Sequence, residues 1–171
     1  MTDTPKLIAD LVRANGGALV GKTRLQKTFY LLERCGLESG IDFDYYHYGP
    51  YSHDVSQAAR WAELEGLMSE EEKTTFSGDA YSIFHSRSEC DDTIGKLSIA
   101  DARSILSLLR KYNSIELELA ATVDYLRNNG YEHSAIEETR ARKPNKANEA
   151  RMQRALELLE RLELIETRMQ V

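Results

Sequence analysis

Apolar residues recur at helical spacing over most of the chain. Leu7, Ile8, Leu11 and Val12 share one face of a first helix, which Thr4 caps, Pro5 enters and Asn15-Gly16-Gly17 stops. Leu25, Phe29 and Leu32 mark a second helix from about Lys22 to Cys35, ended by Gly36. Residues 41–48 are rich in aromatics and predict a strand, broken by Gly49-Pro50. A third helix is predicted from about Ser52 to Glu65, with Val55, Ala58, Ala59 and Ala62 inward and Trp61 in the core or on a groove wall. Residues 67–76 and 80–85, joined by Ser77-Gly78-Asp79, predict a β-hairpin.

Residues 86–97 are polar and read as a linker. Beyond them the pattern is helical again. Ser98 opens a helix to about Tyr112, with Ile105, Leu108 and Leu109 buried. Ser114 opens another that ends at Asn129-Gly130. Ser134 and Glu137 have the spacing of a capping box before a short helix, which Pro144 interrupts. A last helix is expected over about 145–164, with Met152, Ala155, Leu156, Leu159 and Leu162 as its stripe. The whole predicts a mainly α protein with a small β component. Helix, helix, helix, hairpin is the order of a winged-helix-like lobe, here residues 1–90. A C-terminal helical lobe, 98–171, packs on it, or the two form one domain.

A chain of 171 residues can bury a sizeable core without a staple. Its two cysteines, Cys35 and Cys90, are far apart and read as ordinary thiols in a reducing compartment. Residues 1–6 lack a basic start followed by an apolar core, and no apolar run approaches a membrane span, so a cytoplasmic, membrane-free protein is expected. Net charge is −6, and the acid is concentrated: residues 69–101 carry eight acidic and three basic side chains. Basic residues cluster at Lys22, Arg24 and Lys27, and again at Arg140, Arg142, Lys143, Lys146, Arg151 and Arg154.

Gly16 to Thr23 fits the phosphate-loop pattern G-x-x-x-x-G-K-[ST] letter for letter. Such a loop must follow a buried strand, whereas the preceding segment has helical spacing and carries Asp10 and Arg13. Nor does a strand supply a Mg²⁺-binding Asp, since Val123-Asp124 falls inside a helical pattern. The glycines therefore read as a helix–loop–helix turn, and P-loop-like nucleotide binding is the second alternative function. His47, His53 and Asp54 fall around one turn and could form a proton-transfer pair, but no catalytic constellation, metal set or cofactor site is expected.

A winged-helix DNA-binding transcriptional regulator is the first alternative. Its third helix would enter the major groove, yet that helix offers Arg60 beside Asp54, Glu63 and Glu65, and the hairpin holds Glu70, Glu71, Glu72 and Asp79. Lys22, Arg24 and Lys27 remain a candidate nucleic-acid or partner contact, acting through a homodimer or a partner. The stretch Tyr45-Tyr46-His47-Tyr48-Gly49-Pro50-Tyr51-Ser52 combines rigid contact area with polar tips. Tyr46, Tyr48, Gly49, Pro50, Tyr51 and Ser52 are the candidate partner-binding residues.

The run Lys22 to Leu32, then Tyr48-Gly49-Pro50-Tyr51-Ser52, then Leu64-Glu65-Gly66-Leu67, resembles the YwgA-like family of prokaryotic proteins. More distantly it resembles SocA-like or Panacea-type antitoxin domains, over about the first half of the chain. Leu119-Ala120-Ala121-Thr122 and Lys143-Pro144-Asn145-Lys146 extend the YwgA-like pattern into the second half. The resemblance implies a non-catalytic prokaryotic regulator that binds a protein partner, a toxin or a defence-system component. In that family Gly21-Lys22-Thr23 falls where the second helix begins, which agrees with the helix-turn reading.

Overall fold

The computed structural model describes residues 3–165; Met1 and Thr2, part of the stretch read for a leader, lie outside the described residues. The chain is mainly α with a small β component. Helix α1 spans Thr4–Ala14, strand β1 Ala18–Val20, and helix α2 Lys22–Leu32, which runs into a π-type turn over Glu33–Leu37. Strands β2 (Asp44–Tyr46) and β3 (Gly49–Tyr51) form a tight hairpin ahead of helix α3 (His53–Leu64). Strands β4 (Met68–Thr74) and β5 (Ala80–Ser86) form the second hairpin. Strands β6 (Thr93–Ile94) and β7 (Leu97–Ser98) form a third, followed by helices α4 (Ile99–Leu109), α5 (Ser114–Arg127), α6 (Ala135–Arg142) and α7 (Glu149–Arg161).

The main sheet has the antiparallel order β1-β5-β4. Leu19, Phe84 and Met68 lie on its inner face and are buried against α1 and α3. Helix α1 buries Leu7, Ile8, Leu11 and Val12, as its spacing predicts, but its cap is Asp3, whose carboxylate accepts from the Lys6 N–H at 3.2 Å. The predicted box at Ser134 does not close; the capping box that does form is Asn113 with Glu116, at the start of α5.

Two apolar clusters hold the chain. The first joins α1, Leu25, Phe29 and Leu32 of α2, α3, the main sheet, the third hairpin and Ala102 and Leu106 of α4. The second joins Tyr30 and Leu31 of α2 and Leu109 of α4 to α5 and α7. Both α2 and α4 thus serve two clusters. The interval 86–97, expected to be a polar linker, instead carries the buried Ile94 and Leu97 of the third hairpin. Its turn sits against the Leu37 carbonyl, so closely that a Cβ on Gly95 would collide with it. Trp61 is not a core residue: it is 55% exposed on the outer face of α3. No described helix is long and apolar enough to cross a membrane.

Candidate functional site

The Gly49-Pro50 break is the structural centre of the site. Tyr46 pairs with Gly49 across the β2–β3 hairpin, leaving His47 and Tyr48 at the turn. Gly49 has φ +89°, a left-handed conformation, and a Cβ there would run into Thr122 Oγ1 on α5. Gly49 and Pro50 are both buried. The hairpin thus lies directly on α5, and only glycine fits the contact.

Helix α2 grips the same hairpin from the other side. The Gln26 amide pairs with Ser52 as a strand would: Nε2 donates to the Ser52 carbonyl and Oε1 accepts from the Ser52 N–H, each at 2.9 Å. The Ser52 hydroxyl in turn caps α3, accepting from Val55 N–H at 3.4 Å. Lys27, only 1% exposed, donates from Nζ to the Pro50 carbonyl at 2.6 Å. Burial pulls its amine down from the ordinary 10.5 to about 7; Glu118 opposes the shift, and Lys143 and Lys146 add to it.

Glu118 is the carboxylate at the centre of this support. It is buried on α5 and accepts from Lys143 at 2.9 Å and from Lys146 at 3.0 Å. Lys143 also reaches the His47 carbonyl at 3.5 Å, and the Lys146 ammonium lies 4.7 Å from the centre of the Tyr48 ring. Three lysine amines therefore surround the hairpin, bonded to a single carboxylate and two main-chain carbonyls.

What this platform presents is aromatic. Tyr46 is 56% exposed and Tyr48 54% exposed. Tyr46 stacks on Tyr51 with ring centres 5.4 Å apart, and Tyr51 OH shares a hydrogen bond with Ser56 Oγ at 2.9 Å. A cleft of about 900 Å³ opens beside them between α2, α3 and the main sheet, lined by Lys22, Tyr48, Tyr51, His53, Arg60 and Glu70 among others.

The six candidate partner-binding residues therefore divide. Tyr46 and Tyr48 are displayed and Tyr51 is half-buried, whereas Gly49, Pro50 and Ser52 are buried scaffold. The basic trio is not brought together as one surface. Lys22 is exposed at the cleft, 3.6 Å from Glu70. Arg24 turns away and donates to the carbonyls of Tyr112, at 2.6 Å, and Leu109, at 3.5 Å, closing the end of α4. Lys27 is sealed beneath the hairpin. The C-terminal basic cluster is spread in the same way, with Arg142 on Glu138 and Arg154 on Glu116.

The phosphate-loop match also takes a different form. Ala18, Leu19 and Val20 are not a turn but β1, paired with His85, Phe84 and Ile83. The Gly21 N–H donates to the Ser82 carbonyl at 2.8 Å, and the Gly17 carbonyl accepts from Ser86 N–H at 2.9 Å. This backbone is spent on the sheet, between two helices, and does not ring an anion. Asp124 is fully buried in α5, accepting from Tyr30 OH at 2.6 Å and Arg34 Nε at 2.7 Å. His53 pairs with Gln57 at 3.0 Å, while the His47 ring lies against Tyr46, and among the described residues no hydrogen bond joins the two histidines to each other or to Asp54.

Sequence reasoning missed Glu118, and it placed Thr122 in a family-like motif without its contact to Gly49. The signal for Glu118 was present: a carboxylate within Leu117-Glu118-Leu119-Ala120-Ala121 must meet a cation if the apolar stretch is buried. No protein-family model matches the chain, and no curated protein matches it.

Proposed function

We propose that this chain is a non-catalytic prokaryotic regulatory protein that binds a protein partner, antitoxin-like or defence-associated, through the tyrosine hairpin. The observation that carries the reading is the display of Tyr46 and Tyr48 on a hairpin held from below by Gln26, Lys27, Lys143 and Thr122. Rigid, half-exposed tyrosines lose little freedom on binding, which makes them effective interface anchors. The resemblance of the Lys22–Leu32 and Tyr48–Ser52 motifs to YwgA-like proteins supports the regulatory part.

The order α1-β1-α2-β2-β3-α3-β4-β5, with β1 paired to β5 and the β2–β3 hairpin inserted ahead of α3, supports a winged-helix-like lobe over residues 1–90. That order also favours DNA binding as the second reading. Charge weighs against it. Arg60 is the one Lys or Arg on α3, and β4 carries Glu70, Glu71 and Glu72 with Lys73.

The test is capture from the native host with a tagged chain. Tyr46→Ala and Tyr48→Ala together should abolish recovery of the partner while leaving thermal unfolding unchanged. Equal recovery by the variant would remove the hairpin from the interface. A salt-titrated gel shift with the native upstream DNA tests the second reading.

A further inference from the structure

The amines under the hairpin outnumber their carboxylate. Lys143 and Lys146 share Glu118, and Lys27 comes in from α2 bonded, among the described residues, to the Pro50 carbonyl alone. Residues 140–151 carry five Lys or Arg against Glu149. Lys27 and Lys143 are sealed; Lys146 is about one-third exposed, and its ammonium lies against the displayed ring of Tyr48. The surplus positive charge therefore has its outlet at one point, beside Tyr48.

We propose that the partner seats an acidic side chain, an aspartate or glutamate of a protein segment, beside Tyr48 against Lys146. This rests on the hairpin being the partner surface and adds the chemistry of what occupies it. A carboxylate there neutralises the surplus, and the Tyr48 ring keeps water from the pair on one side. A single outlet suits one carboxylate rather than a row of phosphates. The adjoining cleft interleaves Glu63 and Glu70 with Lys22 and Arg60, Glu70 lying 3.6 Å from Lys22, so it offers a polyanion no continuous row of cations to follow. The ionisable groups facing the cluster are Glu118 from α5, Lys143 and Lys146 from the segment after α6, Tyr48, Tyr51 and His53 from the hairpin and the start of α3, and, across the cleft, Lys22 from α2, Arg60 and Glu63 from α3 and Glu70 from β4. An anion arriving among them also favours the charged form of Lys27, so binding near pH 7 draws in a proton.

The experiment is calorimetry on the full chain with three probes: a Glu- and Leu-containing peptide, its Gln-for-Glu counterpart, and a single-stranded DNA oligonucleotide. The acidic peptide should bind, weaken with salt, and take up protons in buffers of differing ionisation enthalpy. Lys146→Gln should weaken it by about tenfold, the order expected for one close charge pair, and Lys146→Arg should restore it; because Lys146 also bonds the buried Glu118, each variant is compared at a temperature where circular dichroism shows it fully folded. Lys27→Met should remove the proton uptake. Equal binding of the Gln peptide, preference for the oligonucleotide, indifference to Lys146→Gln, or no binding of the acidic peptide would each overturn the proposal. If Lys146→Gln leaves partner capture intact while the Tyr46/Tyr48 variant abolishes it, the hairpin reading stands and the acidic occupant falls.

Discussion

Lys27 holds the carbonyl of Pro50 at 2.6 Å from a position that is 1% exposed. An amine so placed costs desolvation in its charged form. It also fixes the bend on which the displayed tyrosines stand.

The first prediction concerns pH. The Lys27 amine titrates near 7 in the folded chain and near 10.5 when unfolded. Between those values the unfolded chain holds a proton that the folded chain lacks, so stability rises with pH across that window. The penalty is largest at and below pH 7 and is relieved as pH climbs towards 10.5. The slope from this group is at most about 1.4 kcal/mol per pH unit. Urea unfolding of wild type and Lys27→Met from pH 7 to 10 should show wild type gaining on the variant as pH rises; parallel curves would refute the assignment.

The second concerns Gly49. Gly49→Ala combines a left-handed backbone with a collision on Thr122 and should cost about 2–4 kcal/mol. Adding Thr122→Ala removes the hydroxyl and should recover part of that loss. Denaturation midpoints of the single and double variants check it, and purely additive losses would mean the contact is not made.

The third concerns Asp124, a fully buried carboxylate between Tyr30 and Arg34. Asp124→Ala orphans a guanidinium and a phenol and should cost about 3–5 kcal/mol. Tyr30→Phe keeps the ion pair and should cost about 1–3 kcal/mol. In the native fold the Tyr30 phenol is pushed well above its usual range, by burial first and by Asp124 next, so it should stay protonated through any alkaline titration that leaves the chain folded. Ultraviolet titration detects this.

The fourth uses the single tryptophan. Trp61 is over half exposed, so its emission should be open to acrylamide quenching in the native state. Trp61→Ala should alter stability by no more than about 0.5 kcal/mol. A quenching constant far below that of the unfolded chain would place the ring inside.

The long helices were legible because a buried stripe leaves a period. Leu7, Ile8, Leu11 and Val12 do so in α1, and Met152, Ala155 and Leu159 in α7. Strand β1 was not, since three residues are too few to show alternation, and its neighbouring glycines imitate a phosphate loop. The third hairpin was hidden because Ile94 and Leu97 are its only inward residues in a polar stretch. At the site, residue type misled. Lysine is ordinarily a surface residue, so Lys27 read as part of an exposed trio. Its burial depends on Pro50 and Glu118, which no local pattern connects to it. Trp61 failed in the opposite sense: an aromatic on a helix is expected inside, and here α3 buries Val55, Ala58, Ala59 and Ala62 instead.

Helix α2 and the π-type turn that follows it reach into the second half of the chain through three polar side chains. Arg24 closes the end of α4, and Tyr30 and Arg34 meet Asp124 on α5. Excised after residue 90, the N-terminal stretch would carry a cut surface with a bare phenol and two guanidiniums where their anchors had been. It is therefore not a cassette that can be transplanted onto another protein as it stands. Any homologue in which this half occurs alone must have rebuilt those three positions.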